Sequence, residues 1–328
     1  MRGLVWLTAL VALLYGGYWY VGSRAVLSGA TAALVQMKSE GRGDYSTVAL
    51  HGFPSRFDLT ISDPKLIMSD GLAVWGGAFL QIFALSYQPN NIIAVFPHDQ
   101  SLTLGAETVS LASSDLRASA KFTASLSLPL EHAELEGHDL ALVGSSGWSA
   151  LASKMVFALR APTAGSASQQ MALVLTDLAP GNALRSRLDP TGHLPATMDD
   201  AQLGFTVVLD RPLDRSALDT PLHISAVENL DGRIAWGAMS LEAAGDLRAD
   251  ANGFAAGRIA LTARNWRDIL ALAVAAGAVQ PTMVKTFENI FASLEKGSGE
   301  AGVVKLPVTL VDGLILLGPI PIGRAPQF

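Results

Sequence analysis

The chain has 328 residues, enough for one large core or two domains. A net charge of −6 and a pI near 5.5, with no run of Lys or Arg, argue against a nucleic-acid partner. The absence of cysteine excludes disulfides, thiolate zinc sites and cysteine nucleophiles. Hydrophobic residues at 50%, 31 Gly and only 16% charged residues leave apolar surface suited to lipid or a partner.

Residues 3–21 carry no charge, hold Leu4, Trp6, Leu7, Leu13 and Leu14, and close on Tyr18, Trp19 and Tyr20. That length approaches the ~20 residues a helix needs to cross a bilayer core at ~1.5 Å per residue. The aromatic end suits a membrane–water interface. A cleaved signal peptide would have a shorter apolar core and a small-x-small site in place of Tyr and Trp, so residues 1–22 read as a retained transmembrane anchor. Arg2 and the α-amino group are nearly balanced by Arg24, Lys38 and Arg42 across the apolar run. A short tail ahead of a long domain usually stays cytoplasmic, which predicts a single-pass inner-membrane protein with its bulk in the periplasm. Residues 23–43 place Val26, Ala30, Ala33, Leu34 and Met37 at helical spacing and read as a juxtamembrane helix, stopped by Gly41-Arg42-Gly43.

Residues 44–328 read as a β-rich domain. In Arg56-Phe57-Asp58-Leu59-Thr60-Ile61-Ser62, the residues Phe57, Leu59 and Ile61 share one face, with Pro54 before and Asp63-Pro64 after. Strands are predicted over 79–87, 92–96, 101–104, 108–112, 116–120, 122–128, 131–135 and 140–143. A brief helix is predicted over 146–154. Strands return over 155–160 and 170–175, a helical turn over 184–188, then strands over 201–209, 222–227, 233–236 and 239–248. Asn252-Gly253 between alternating runs signals a hairpin, because a tight turn needs positive φ. Asn265 reads as the cap of a helix over 266–279, with Ile269, Leu270, Leu272, Ala273 and Ala276 on one stripe. Pro281 opens a second helix to 296 with Val284, Phe287, Ile290, Phe291 and Leu294 on its buried side. Residues 303–317 read as a closing two-stranded hairpin. The expected fold is mainly β (α+β): a transmembrane helix, a long curved antiparallel sheet and a few helices, two of them near the C-terminus. Residues 163–169 are the candidate midpoint loop.

His51-Gly52-Phe53-Pro54-Ser55-Arg56-Phe57, Tyr87-Gln88-Pro89-Asn90 and Asp312-Gly313-Leu314-Ile315-Leu316-Leu317-Gly318-Pro319-Ile320-Pro321 resemble the family called domain of unknown function 2125 over nearly the whole chain. That resemblance implies a single-pass inner-membrane protein of a Gram-negative envelope. From Gly245 through Asn252-Gly253 to Gly318-Pro319 the chain is also similar to the closing region of AsmA-like envelope proteins, which implies a part in moving or organising lipids. Neither likeness carries catalytic residues to this chain.

Among candidate sites, His132, Glu134, Glu136 and His138 fall on one strand face and are residue types that bind zinc. At ~3.3 Å per residue the two His lie about 20 Å apart, so only neighbours such as His132 and Glu134 could share an ion, and a solvated strand face is the plainer reading. Gly297-Ser298-Gly299-Glu300-Ala301-Gly302 spells G-x-G-x-x-G but follows a helix and precedes a strand, the reverse of a dinucleotide site. Gly144-Ser145-Ser146-Gly147 is one residue short of a nucleophile elbow and reads as a turn that starts the 146–154 helix. Trp75, Trp148, Trp236 and Trp266 sit near element boundaries, where aromatics fill cores. Phe53, Pro54 and Phe57 read as fixing the start of the first long strand, with Arg56 a candidate for binding; together they form the possible functional motif. No cofactor and no enzymatic activity is implied. The expected role is binding or organising lipids through an apolar sheet face. The alternatives are an adaptor holding an envelope protein partner at the inner membrane and, last, a periplasmic hydrolase or metalloenzyme.

Overall fold

The computed structural model of the chain describes residues 1–68, 71–190, 192–218, 220–318 and 320–328; Pro319 of the terminal motif lies outside the described residues. Strand accounts for 50% of the chain and helix for 24%, so the expected mainly β class holds, with a long apolar N-terminal helix and two helices near the C-terminus. Every strand pairing among the described residues is antiparallel. The fold divides into two compact units, Met1–Ala124 with Leu135–Ser146, and Ser125–Glu134 with Gly147–Phe328.

The first unit opens with α1 (Arg2–Ser39), one continuous helix. It stops where Gly41 turns left-handed, with φ of 69°, and the Arg42 N–H closes back on the Met37 carbonyl at 2.8 Å, a glycine-dependent C-terminal cap. Its strands are β1 (Gly43–Asp44), β2 (Thr47–His51), β3 (Arg56–Ser62), β4 (Lys65–Met68), β5 (Ala73–Gly77), β6 (Phe79–Leu85), β7 (Gln88–Val95), β8 (Asp99–Leu104), β9 (Glu107–Ala112), β10 (Asp115–Phe122) and most of β11 (Leu130–Gly144). Hairpins alternate between two runs of pairing. One runs β2-β3-β6-β7-β10; the other runs β1-β4-β5-β8-β9-β11. Phe57, Leu59 and Ile61 are all buried, as their alternation predicts.

The second unit is a meander: β12 (Ser149–Arg160), β13 (Ser168–Thr176), β14 (Ala179–Pro180), α2 (Asn182–Leu188), β15 (Asp200–Leu209), β16 (Ile224–Trp236), β17 (Met239–Ala249) and β18 (Ala255–Arg264). It continues through α3 (Trp266–Ala275), α4 (Val284–Ser298), β19 (Val303–Val311), β20 (Leu314–Leu317) and β21 (Ile320–Arg324). Gly253, at φ 79°, makes the β17–β18 turn, so the Asn252-Gly253 hairpin is present. Helices α3 and α4 pack on one end of this sheet, burying Trp266 and Leu270 against Ala263, Val304 and Leu306.

Several predicted elements are corrected. The 146–154 helix is strand: β12 starts at Ser149 and pairs with β13 and β14, so cross-strand partners override the helix preference of its Ala and Leu. The turn at 144–147 therefore leads into a strand. Runs 131–135 and 140–143 are one strand, β11. Residues 123–128 leave the sheet after Phe122, and Leu128 sits at φ 49°. Runs 222–227 and 233–236 join as β16 across an irregularity in its pairing with β17 between Val227 and Leu230. The helix over 266–279 ends at Ala275, and Asn265 precedes it in a left-handed conformation with its side-chain amide donating to Asp268 rather than accepting from the helix. Pro281 lies in a single 3-10 turn, Pro281–Met283, ahead of α4. The closing hairpin gains a third strand, β21. Residues 163–169 span the β12–β13 turn and the first two residues of β13.

Candidate functional site

The motif Phe53, Pro54, Arg56 and Phe57 forms the turn between β2 and β3 and the start of β3, and α1 is docked on it. The Trp19 indole N–H donates to the Arg56 carbonyl at 2.8 Å, and its ring meets Phe53 edge-on at 5.2 Å and Phe57 at 6.1 Å. From the neighbouring position the Tyr18 hydroxyl donates to the Ser86 carbonyl at 2.7 Å, and about one helical turn earlier the Tyr15 hydroxyl lies 3.0 Å from the Ser86 hydroxyl. Ser86 is fully buried and begins the Ser86–Tyr87 turn between β6 and β7. Gly22 lets the helix approach closely, since a Cβ there would stand 2.9 Å from the Phe57 ring. Tyr18 and Trp19, which read as part of an interface belt, thus turn their polar ends to protein together with Tyr15, while Tyr20 faces outward beside Arg24. Arg56 pairs with Asp58 at 2.8 Å and lies over the Phe83 ring.

The second unit carries an apolar surface. Paired residues across a ladder share a face, so register links Phe157, Leu173, Leu203, Gly232, Ala243, Leu261 and Leu306 in one row. The next row on that face holds Ala201, Ile234, Leu241, Ala263 and Val304. The opposite face reads Val156, Val174, Gln202, Arg233, Glu242, Thr262 and Lys305, with Arg233 paired to Asp200 at 3.1 Å and to Glu242 at 3.7 Å. Helices α3 and α4 cover the β17–β19 end of the apolar face. Toward β12 the cover thins: Leu203 is 37% and Ile234 40% exposed, and Phe157, Met171 and Leu173 are half-buried. Between α2, α3 and the strands β16 and β17, Leu188, Met198, Ile234, Trp236, Met239, Leu241, Ile269 and Leu272 line a half-open pocket of about 180 Å³.

The family described as "uncharacterized protein conserved in bacteria (DUF2125)" matches residues 19–326. The chain belongs to the DUF2125 family. No curated protein and no solved structure matches it, and the likeness of residues 245–319 to AsmA-like proteins has no support among these comparisons. The DUF2125 match takes in Trp19, Gly22 and the whole turn on which they dock. Among the described residues of this DUF2125 chain no three His, Asp or Glu side chains are grouped to hold a metal ion. His132 and Glu134 lie on the part of β11 assigned to the second unit, and the His138 ring lies 3.3 Å from Glu136 in the first. Of the four boundary tryptophans, Trp236 and Trp266 are buried while Trp75 and Trp148 are half-buried; Trp75 bonds Gln100, Trp236 bonds the Pro195 carbonyl, and Trp266 bonds Glu295. The docking role of Tyr15, Tyr18 and Ser86 was missed in the sequence, because a hydroxyl paired 68 to 71 residues away leaves no local signature. Family likeness at Phe53–Phe57 and at Tyr87 pointed to the two turns that meet the helix.

Proposed function

We propose that this DUF2125 chain is an inner-membrane protein, anchored by α1 with its β-rich bulk in the periplasm, that binds lipid-like molecules as a binding protein rather than a catalyst. The observation that carries the reading is the apolar face running through seven strands of the second unit, polar on its reverse from β15 to β19, and left partly open beyond α3 and α4. Burial of apolar surface is worth ~25 cal/mol per Å², so acyl chains gain by lying there, and the Trp236–Ile269 pocket offers one chain end a place to enter. The uncharged run of α1, of mean hydropathy 1.6 over its most apolar window, supports the anchor.

The test uses the alternation of the strands. A photo-cross-linking amino acid is placed in the full chain at Leu173 or Leu203, and separately at the adjacent Val174 or Gln202, and adducts are identified by mass spectrometry after irradiation of cells. Phospholipid adducts at the first pair and few at the second are expected. Equal labelling of both faces would refute the reading, and a single protein adduct at Leu203 in place of lipid would instead favour the adaptor role.

A further inference from the structure

We propose that the tips of the β2–β3 and β6–β7 turns dip past the headgroup-to-acyl boundary into the outer acyl region of the bilayer, so that Phe53 and Tyr87 press the first unit into the membrane beside its own anchor. The proposal rests on the reading of α1 as a spanning helix, and it follows from lengths.

The uncharged run of α1 is bounded by Arg2 and Arg24. Crossing a hydrocarbon core of ~30 Å at ~1.5 Å per residue takes about 20 residues, so nearly all of that run is needed. Residues 3–14, however, are the part exposed on all sides, and they supply only about 18 Å. The remaining ~12 Å must come from the stretch that begins at Tyr15, where Tyr15, Tyr18 and Trp19 are already bonded to Ser86 and Arg56. A Cβ on Gly16 would touch the Phe53 ring at 4.0 Å, which sets Phe53 level with that residue along the helix axis. Whatever depth the docked stretch takes, the two turns take with it.

The chemistry of the turns agrees with that depth. Gly52-Phe53-Pro54-Ser55 and Ser86-Tyr87-Gln88-Pro89-Asn90 contain no charged side chain. Near lipid, unpaired backbone polar groups are costly. Here the Arg56 N–H bonds the Gly52 carbonyl and the Ser86 N–H the Ser55 carbonyl, each at 2.9 Å, while the carbonyls of Arg56 and Ser86 take the Trp19 and Tyr18 donors. Phe53 and Tyr87 remain 65% and 62% exposed, as rings reaching past an interface would be; aromatic side chains are enriched at that interface.

Because the chain has no cysteine, single substitutions Leu10→Cys, Phe53→Cys, Tyr87→Cys and Leu104→Cys each carry one nitroxide label without background. The full-length variants are reconstituted in phosphatidylethanolamine–phosphatidylglycerol vesicles, and relaxation by oxygen is compared with relaxation by a water-soluble nickel chelate. The label at Leu10 should be nickel-shielded, the label at Leu104 nickel-exposed, and those at Phe53 and Tyr87 several-fold less nickel-accessible than Leu104, with raised oxygen accessibility. If both turn labels match Leu104 while Leu10 stays shielded, the proposal is overturned and the anchor stands. If Leu10 is itself nickel-exposed, the spanning helix is wrong and the proposal falls with it. Two independent turn positions guard against a local effect of losing the Phe53 ring.

Discussion

Docking of α1 on the first unit depends on Gly22, and the paired substitutions Gly22→Ala and Gly29→Ala isolate that contact. A Cβ at Gly22 would lie 2.9 Å from Phe57 Cζ, whereas one at Gly29 meets nothing within 4 Å. Phe57 is only 5% exposed, so its ring can yield only by displacing its neighbours. Forcing an extra carbon into such a site costs about 1–3 kcal/mol. Replacing an exposed helical glycine by alanine stabilises by about 1 kcal/mol. Gly29→Ala should therefore stabilise by about 1 kcal/mol, while Gly22→Ala should be neutral or destabilise by up to about 2 kcal/mol. The difference between the two, about 1–3 kcal/mol, is the cost of the contact. Equilibrium unfolding of the full chain in mild detergent, followed by near-ultraviolet circular dichroism, reads the packed aromatics directly. A Gly22→Ala chain stabilised as much as Gly29→Ala would refute the close approach of α1 to Phe57.

Glu295 accepts hydrogen bonds from the Gly302 N–H, from Arg267 and from the Trp266 indole, in that order of effect, and these hold its carboxyl below the usual 4.5. A depressed carboxyl contributes stability that is full above its unfolded value and lost as pH falls through the folded one. The melting temperature of the chain should therefore fall on acidification below about pH 4.5, and Glu295→Gln should lower it at pH 7 while flattening that acid limb; an unchanged acid limb would refute the assignment. On the apolar face, Val304 is fully buried, so Val304→Ala should cost about 2 kcal/mol. Leu203→Ala, at a position 37% exposed, should cost under about 1 kcal/mol yet reduce lipid adducts at Leu173. Denaturant midpoints and the cross-linking yield check the two together.

Much of the fold was legible where alternation was clean. Phe57, Leu59 and Ile61 declared their face, and Asn252-Gly253 declared its turn, because both signals are local. β4 and β5 were illegible. Lys65-Leu66-Ile67-Met68 has no alternation, and Gly76-Gly77 looks like a loop, although Gly77 is where Pro97 packs so closely that a Cβ would stand 2.8 Å from its ring. β11 looked like two strands because Gly137 interrupts its pattern, yet glycine is what fits there, with a Cβ position 2.9 Å from Leu116. The 149–154 segment misled because its small residues suit a helix in isolation, and what makes it a strand is the pairing of Ala150 and Leu151 with Pro180 and Ala179. The docking site was half legible: the Phe53–Phe57 motif stood out, but its partners on α1 were assigned to lipid.

That reassignment changes what the anchor does. A belt of Tyr and Trp whose hydroxyls and indole N–H faced headgroups would leave a helix free to tilt and turn under its cargo. With Tyr18 and Trp19 bonded to the carbonyls of Ser86 and Arg56, and Lys38 ion-paired to Asp44 at 2.6 Å where the helix ends, α1 is held at both ends of its docked stretch. Helix and first unit then move as one body, and a tilt of the anchor is a tilt of the strands that carry Phe53 and Tyr87. In the proposed placement, the exposed rings of Phe53 and Tyr87 on the turns join those of the helix, such as Tyr20, in facing lipid. If the turns rest in the membrane as proposed, orientation there depends on the β-turns as much as on the apolar run, and a truncation that keeps residues 1–22 and discards the turns should retain membrane insertion and lose defined tilt.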